Sequence, residues 1–278
     1  MKSKKILSWV GTVFFTLLGI LYIAPIIIVL INSFKQKTYI NLEPFKFPVK
    51  ETWNSFGNYL SAINDYGFFD AVGWTVFITI ASVLVILVCT SMCAWYITRV
   101  GGKFSSFMYT LCAFSMVVPF QMVMFTLALV SDRLNLNTPW GIVIIYLGFG
   151  AGLAVFMFCG FVKSIPLEIE EAAMIDGCSP IRTFFSVVLP IMKPTYISVG
   201  ILEIMWIWND FLLPYLVLDT RQYKTISIVV QYMKGSYGRV DMGAIMAALI
   251  MAVIPVIIFY LACQKHIIKG VAAGAVKG

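Results

Sequence analysis

The chain has 278 residues, of which 60% are hydrophobic and only 12% are charged. Soluble domains carry about 25% charged residues, so this composition excludes a water-soluble protein and indicates that the chain lies in a membrane. The formal net charge of +7 does not indicate nucleic-acid binding, because no basic patch interleaved with aromatic residues occurs. It fits basic residues that flank membrane helices. Length alone would allow two soluble domains, but a membrane bundle accounts for the whole chain as one domain.

Long apolar runs predict six transmembrane helices. A helix needs about 20 apolar residues to cross a bilayer, and six runs reach that length. The first run is too long for the hydrophobic region of a signal peptide and lacks a small-residue cleavage site, so we expect an uncleaved helix. The fold class is therefore an all-α membrane protein, with a single transmembrane domain over residues 1–278. The predicted spans are residues 9–31, 72–97, 106–130, 139–161, 195–218 and 242–264.

Lysine and arginine near the ends of these helices predict their orientation, since such residues concentrate on the cytoplasmic side. They occur in the N-terminal tail, in the loop 98–105 and in the tail 265–278. We therefore predict that both termini and the segment 163–194 are cytoplasmic. The basic residues of the segment 219–241 run against this orientation.

The sequence lacks the clusters that catalysis, metal binding or ATP binding would need. It has six cysteines and one histidine, His266, without a CxxC pair, so we expect no metal site and treat the cysteines as packing residues. A membrane enzyme would need a clustered nucleophile, base or metal. No GxxxxGK[ST] motif occurs, so the chain is expected to bind no ATP through a Walker motif and no other cofactor.

The segment between the fourth and fifth spans predicts two short helices that form an elbow. Pro166 suits the first position of a helix, and three glutamates crowd its first turns, where the helix dipole favours negative charge. Gly177 suits the left-handed position that follows a helix end, so the first helix covers about 166–176. Ser179 and Pro180 resemble the start of a second helix, which the prolines at 190 and 194 limit.

This segment resembles the EAA loop of ABC importer permeases. Glu171-Ala172-Ala173 is followed after three intervening residues by Gly177, which is followed after nine intervening residues by Val187-Val188-Leu189-Pro190. Every spacing of the family pattern holds, with valine in place of isoleucine at 187. The sequences 208–214 and 270–278 resemble the carbohydrate branch of the family, most closely the second permease of maltose-type transporters. The resemblance covers nearly the whole chain.

The resemblance implies the type I ABC importer permease fold, in which a coupling helix docks into a separate ATPase subunit. The tail after Gln264 is too short and glycine-rich to form a stable helix alone, and by resemblance it enters the interface of two ATPase subunits. The expected ATPase-coupling residues are Glu171, Ala172, Ala173, Asp176, Gly177, Leu189 and Pro190, and the expected tail contacts are Gly274, Ala275, Val276, Lys277 and Gly278.

The resemblance also implies partners and a location. We expect a second homologous permease, two ATPase subunits that hold ATP and Mg²⁺, an extracytoplasmic substrate-binding protein, membrane lipid and a sugar substrate, with no nucleic acid. The complex would lie in the bacterial cytoplasmic membrane, and this chain would be its non-catalytic transport subunit.

The fifth span contains Glu203 and Asp210, the only charges predicted inside any span. Acids inside a membrane usually face a bundle interior or a cavity, and a separation of seven residues places both on one helix face. With Trp206 and Asn209 they are candidates for a sugar path, because carboxylates accept hydroxyl hydrogen bonds and aromatic rings stack on sugars. The alternative is a structural role in which the acids bond to neighbouring helices. The sequence leaves both roles open.

Other transport functions compete with sugar import. Permeases of this type also carry glycerol phosphodiesters and related polyols. A secondary transporter would need coupling groups near the membrane midplane and often an internal repeat, whereas this sequence shows two acids in its spans, no intramembrane base and no clear repeat.

Overall fold

The computed structural model describes residues 2–235 and 240–275, with side chains from residue 9 to residue 265 of these ranges. Within them the chain is helical, and the only β-type pairing is an isolated bridge between Lys35 and Trp53. A π-helical turn covers Phe184–Val188. The α-helices are α1 (Lys2–Ser33), α2 (Lys37–Leu42), α3 (Gly57–Asn64), α4 (Phe68–Val100), α5 (Gly102–Ser115), α6 (Phe120–Arg133), α7 (Pro139–Val162), α8 (Leu167–Ile175), α9 (Pro180–Thr183), α10 (Leu189–Ile191), α11 (Lys193–Asn209), α12 (Leu212–Val217), α13 (Ile226–Tyr232) and α14 (Met242–Ala275).

Four of these helices, α1, α4, α7 and α14, are long and apolar enough to cross a membrane by themselves. Two further pairs pass as spans only when each is taken together across its bend: α5 with α6, and the segment Pro180–Ile191, which leads into the fifth span at an angle of 79°, with α11. The described residues therefore contain six spans when each bent pair counts as one, the number that the sequence predicts.

The third span differs from its prediction as one helix over 106–130. It consists of α5 and α6, which meet at an angle of 103°. Pro119 lies at the break with an extended backbone (φ −63°, ψ 136°), and α6 begins at the next residue. Because a proline ring disfavours helical geometry at the preceding residue and removes a backbone donor, the helix stops although the run carries no charge.

The last two spans also differ from the predicted bounds. The helix predicted over 195–218 ends at Asn209 and resumes as α12, because Asp210 has an extended backbone (φ −71°, ψ 132°). The last helix does not end near Gln264 but continues to Ala275, so the prediction of a non-helical tail is wrong for residues 265–275. Residues 265–275 can be helical because they extend the existing helix Met242–Ala275 and do not have to nucleate a new one.

Contacts divide the chain into two compact units. One consists of Met1–Phe69 with Val229–Phe259, and the other of Asp70–Ile228 with Tyr260–Gly278. The prediction of a single transmembrane domain stays a prediction.

Polar side chains organise the connection after α1 in the first unit. Asn58 donates from Nδ2 to the carbonyl oxygens of Ser33 (2.8 Å) and Lys35 (2.7 Å). Lys35 is 1% exposed, and its Nζ donates to the carbonyl oxygen of Glu43 at 2.7 Å. Burial lowers the pKa of Lys35, an effect that the charge of Glu43 opposes. These bonds fold the segment back on the end of α1.

The second unit is built around α7, against which α5 and α11 pack. The glycines of α7 predict close helix packing, and the structure shows at which of these positions a larger residue would clash. A Cβ at Gly152 would lie 2.8 Å from the carbonyl oxygen of Cys112 in α5, whereas a Cβ at Gly148 or Gly160 would meet nothing within 4 Å. Close approach of α5 to α7 therefore requires glycine at position 152.

We expect Gly152→Ala to destabilise the chain by about 1–3 kcal/mol, the usual cost of overpacking a well-packed contact. The measurement is the thermal unfolding midpoint of the detergent-purified chain. Gly148→Ala and Gly160→Ala are matched controls on the same helix and should leave the midpoint unchanged or raise it slightly, because alanine is the better helix former. Equal midpoints for all three variants would contradict the assigned contact.

Candidate functional site: the elbow helices and the broken fifth span

The first elbow helix, α8, ends in a glycine motif that holds the bend. Gly177 has φ +85°. Its N–H donates to the carbonyl oxygen of Met174, and the N–H of Cys178 donates to that of Ala173, both at 3.0 Å. This pair of bonds is the Schellman motif, which satisfies carbonyls at a helix end. The predicted helix and its terminal glycine are confirmed, although Pro166 lies just before the helix rather than at its first position.

The predicted second helix of the elbow is a continuous helical segment, Pro180–Ile191, that contains α9, a π-helical turn and α10. Ser179 caps α9, with its Oγ accepting from the N–H of Arg182 at 3.4 Å. A π-helical turn follows, in which the N–H of Leu189 donates to the carbonyl oxygen of Phe184. Pro190 then lies inside α10 instead of ending the helix. Since a proline has no N–H and its ring crowds the preceding turn, the wider π-helical turn accommodates it.

Most predicted coupling residues lie where another subunit can reach them. Those at the surface of the chain are Glu171, Ala172, Asp176, Gly177 and Pro190, while Ala173 and Leu189 are half-buried. Apolar side chains are exposed beside them, including Ile175 at 86% and Ile181 at 65%. An exposed surface of this kind, apolar with a carboxylate rim, is typical of a protein–protein contact.

The residue that anchors α8 is not among those predicted from the sequence. Glu170, next to the motif glutamate, is only 2% exposed. Its Oε1 accepts from Arg99 Nη2 at 2.7 Å and from Arg99 Nε at 2.9 Å, and its Oε2 accepts from Trp95 Nε1 at 2.8 Å. Trp95 and Arg99 lie one turn apart at the end of α4. That spacing places both donors on one helix face, but nothing in the sequence pairs this face with Glu170.

Asp210 organises the break in the fifth span. Its Oδ1 accepts from the backbone N–H groups of Leu212 (3.0 Å) and Leu213 (3.4 Å), the first residues of α12. Its Oδ2 accepts from the hydroxyl of Tyr146 at 3.0 Å, and Tyr146 is fully buried. Asp210 thus caps α12 and ties the break to α7, a structural role that the sequence left open. Tyr146 was not predicted as a site residue.

Glu203 also faces α7, about one turn along that helix from Tyr146. It is 2% exposed, and a Cβ at Gly150 would lie 3.0 Å from its Oε2. That oxygen accepts no hydrogen bond from any residue that the structure describes. The two acids therefore share a face toward α7, as their spacing predicts.

The other two candidates of the fifth span are at the surface of the chain. The Trp206 ring is 40% exposed and packs edge-on against Tyr146 with centroids 5.4 Å apart. Asn209 is exposed, and its Nδ2 donates to the carbonyl oxygen of Met205 at 2.7 Å. The structure therefore brings Trp206 and Asp210 together through Tyr146, and leaves Trp206 and Asn209 accessible.

The structure describes two of the five predicted tail contacts. Gly274 and Ala275 belong to α14, and Val276, Lys277 and Gly278 lie outside the described residues. Among the residues that the structure describes, no group of His, Cys, Asp and Glu side chains could hold a metal ion.

A family comparison accounts for the elbow and the spans together. Residues 86–273 match the model of the binding-protein-dependent transport system inner membrane component. The chain belongs to this family. This permease is therefore a multi-pass protein of the inner membrane, and its family is one of transport proteins rather than enzymes.

Curated relatives match the permease over nearly its whole length. The probable starch degradation products transport system permease protein AmyC of Thermoanaerobacterium thermosulfurigenes is 37% identical over 276 residues, covering 99% of this chain and 97% of that protein. The multiple sugar-binding transport system permease protein MsmG of Streptococcus mutans is 33% identical over 284 residues, covering 99% of each chain.

A solved structure matches the fold of the permease. It is a chain of a bacterial ABC transporter involved in the import of the acidic polysaccharide alginate, with a TM-score of 0.80, 22% identity, and coverage of 95% of this chain and 98% of that chain. The predicted ABC importer permease fold is confirmed.

We expect Asp210→Leu to destabilise the permease strongly, because the Tyr146 hydroxyl and the backbone donors of α12 lose their acceptor, at about 1–3 kcal/mol for each buried donor. Asp210→Asn should be mild, since the amide can accept from the backbone and donate to the tyrosine oxygen. The measurement is the thermal midpoint of the purified chain. If both variants unfold at the temperature of the unmodified chain, Asp210 does not hold the break.

Proposed function

We propose that the permease is one transmembrane subunit of an ATP-driven importer for a sugar or oligosaccharide. The observation that carries the proposal is α8, a capped helix that presents the Glu171-Ala172-Ala173 motif on an exposed surface. The names of the relatives, which refer to starch degradation products, multiple sugars and alginate, support a carbohydrate substrate. We consider a glycerol phosphodiester or polyol as the alternative substrate class.

ATP hydrolysis is assigned to separate subunits. The sequence contains no Walker motif, so ATP and Mg²⁺ would be held by two ATPase partners. We propose that α8 docks into a cleft of one of them, with Ile175 and Ile181 in apolar contact and Glu171 facing a basic group. The rigid glycine cap would then pass a movement of the ATPase to the membrane helices without loss in a flexible loop.

A second permease subunit would complete the membrane domain. The most apolar stretch of α1 contains no residue that is buried within the chain, so this span must contact lipid or another subunit. We propose that a homologous permease covers part of this surface and that a substrate-binding protein delivers the sugar from the opposite side. The elbow would then face the cytoplasm with both chain termini, and the end of the tail, from Gly274 to Gly278, would contact the ATPases.

The accessible residues of the fifth span are the better candidates for sugar contacts. Trp206 offers an exposed ring face and Asn209 an exposed amide, whereas Asp210 is engaged by the backbone of α12 and by Tyr146. Glu203 is buried against Gly150, so we assign it to helix packing at α7.

Reconstitution of the complex tests the proposed function. The permease would be co-purified with its native partners, identified by mass spectrometry, and placed in proteoliposomes with ATP inside. We expect uptake of a labelled maltooligosaccharide that requires ATP and is blocked by vanadate. Uptake that persists without ATP but collapses with an ionophore would instead show a secondary transporter, and uptake of only a glycerol phosphodiester would change the substrate class.

The glycine at the elbow allows a sharper test of the docking helix. We expect Gly177→Val to reduce ATP-dependent uptake, because a β-branched residue at positive φ costs about 1–2 kcal/mol and shifts the cap. Gly177→Asn is the matched control, since asparagine tolerates this conformation. No atom of the chain lies within 4 Å of a Cβ at this position, so within the permease itself the two variants differ in how well they adopt the backbone conformation. Equal uptake by both variants would remove the elbow from the mechanism.

A further inference from the structure

The end of α4 holds the elbow at three points. Arg99 Nη2 donates to the carbonyl oxygen of Ile165, before α8, at 2.9 Å. Arg99 and Trp95 both donate to Glu170, within α8. The Trp95 ring also packs against Phe184, after α9, with centroids 5.5 Å apart. These contacts reach residues before α8, within α8 and after α9. We call the contacts of Trp95 and Arg99 with Ile165, Glu170 and Phe184 the α4 clamp.

The ion pair within the clamp, Arg99–Glu170, is more buried than the other ion pairs that the structure describes. The side chains of Arg99 and Glu170 are 18% and 2% exposed, whereas in the pairs Lys37–Asp241 and Lys46–Glu43 the lysine is 62% and 72% exposed. Exposed pairs contribute little to stability, while breaking a buried pair leaves an uncompensated charge. Opening the clamp is therefore unfavourable, and α8 and α4 should move together.

The other end of α4 contacts a distant segment. Thr75 is buried, and its Oγ1 accepts from the N–H of Ile226 at 2.9 Å. One residue earlier, Trp74 packs edge-on against Tyr223 with centroids 5.0 Å apart. At about 1.5 Å per residue, Thr75 and Arg99 are separated by roughly 36 Å along one uninterrupted helix. A rigid helix thus joins the elbow to the segment that follows α12.

We propose that α4 is a transmission rod of the transport cycle and that Glu170 and Arg99 are positioning residues that attach it to the elbow. The chain connects the elbow covalently to α7 and α11 only, and the clamp adds a third helix that has no covalent link to it. A movement imposed on α8 therefore reaches the segment 219–226 through α4. This inference rests on the proposed function, since the movement of α8 would come from an ATPase subunit.

Glu170→Gln tests the clamp, with the neighbouring Glu171→Gln as its matched control. The glutamine still accepts from Trp95 but removes the charge that pairs with Arg99. In the reconstituted complex we expect Glu170→Gln to keep ATPase assembly and basal hydrolysis, and to lower the stimulation of hydrolysis by sugar-loaded binding protein about tenfold, within the usual range of coupling between sites. Arg99→Lys, in a chain that keeps Glu170, should retain part of the stimulation because lysine keeps the charge that pairs with the carboxylate. Glu171→Gln should weaken assembly instead.

Thr75→Val tests the far end of the rod without touching the elbow. It removes the acceptor for Ile226 at nearly constant shape and should also lower stimulation while assembly stays normal. Combined with Glu170→Gln it should add little further loss, because both changes interrupt one connection. Additive losses, or normal stimulation in either variant, would overturn the proposal.

Three further outcomes are distinguished from these. If Glu170→Gln loses assembly and stimulation in proportion, the clamp is merely structural and the proposal fails. If that variant does not fold, the result with Thr75→Val decides. If the unmodified complex shows no stimulation by any sugar, the proposed function fails before the variants are compared.

Discussion

Breaking a buried ion pair leaves an uncompensated charge, and in the elbow of this permease the buried pair is that of Glu170 with Arg99. The two oxygens of Glu170 take three hydrogen bonds from the last turns of α4, and this arrangement determines which face of α8 is turned inward. The motif glutamate, Glu171, is consequently turned outward and remains available to a partner. The exposed surface that we assign to ATPase docking thus lies next to the buried charge that joins α8 to α4.

The same physical rule explains the breaks in the membrane helices. In lipid every backbone N–H needs an internal partner, so a broken helix is tolerated only where other groups replace the lost bonds. At the break in the fifth span, Asp210 supplies one carboxylate oxygen to the N–H groups that start α12 and the other to Tyr146. An acid that suggests a substrate ligand in the sequence is thereby explained as a helix cap. Trp206 remains 40% exposed and available to the proposed sugar path.

Local patterns predicted most of the fold, and contacts between distant residues account for what was missed. The six apolar runs and the glycine at 177 are properties of short segments, and the structure agrees with both. Pro119 was a local signal of the break between α5 and α6, but the absence of charge outweighed it. Glu170 and Arg99 are 71 positions apart, and neither hydropathy nor motif spacing shows that they meet. For the same reason Tyr146 could not be assigned to Asp210 from the sequence.

The distance between α8 and α4 during the ATP cycle tests the central claim most directly. Spin labels would be attached at Val100, the exposed last residue of α4, and at Glu168, an exposed residue of α8, in a chain whose native cysteines have been replaced. Pulsed electron paramagnetic resonance on the assembled complex would compare the nucleotide-free and vanadate-trapped states. A rigid clamp predicts the same distance distribution in both states. A distribution that shifts or splits when ATP is bound would show that α8 moves apart from α4, and would contradict the account.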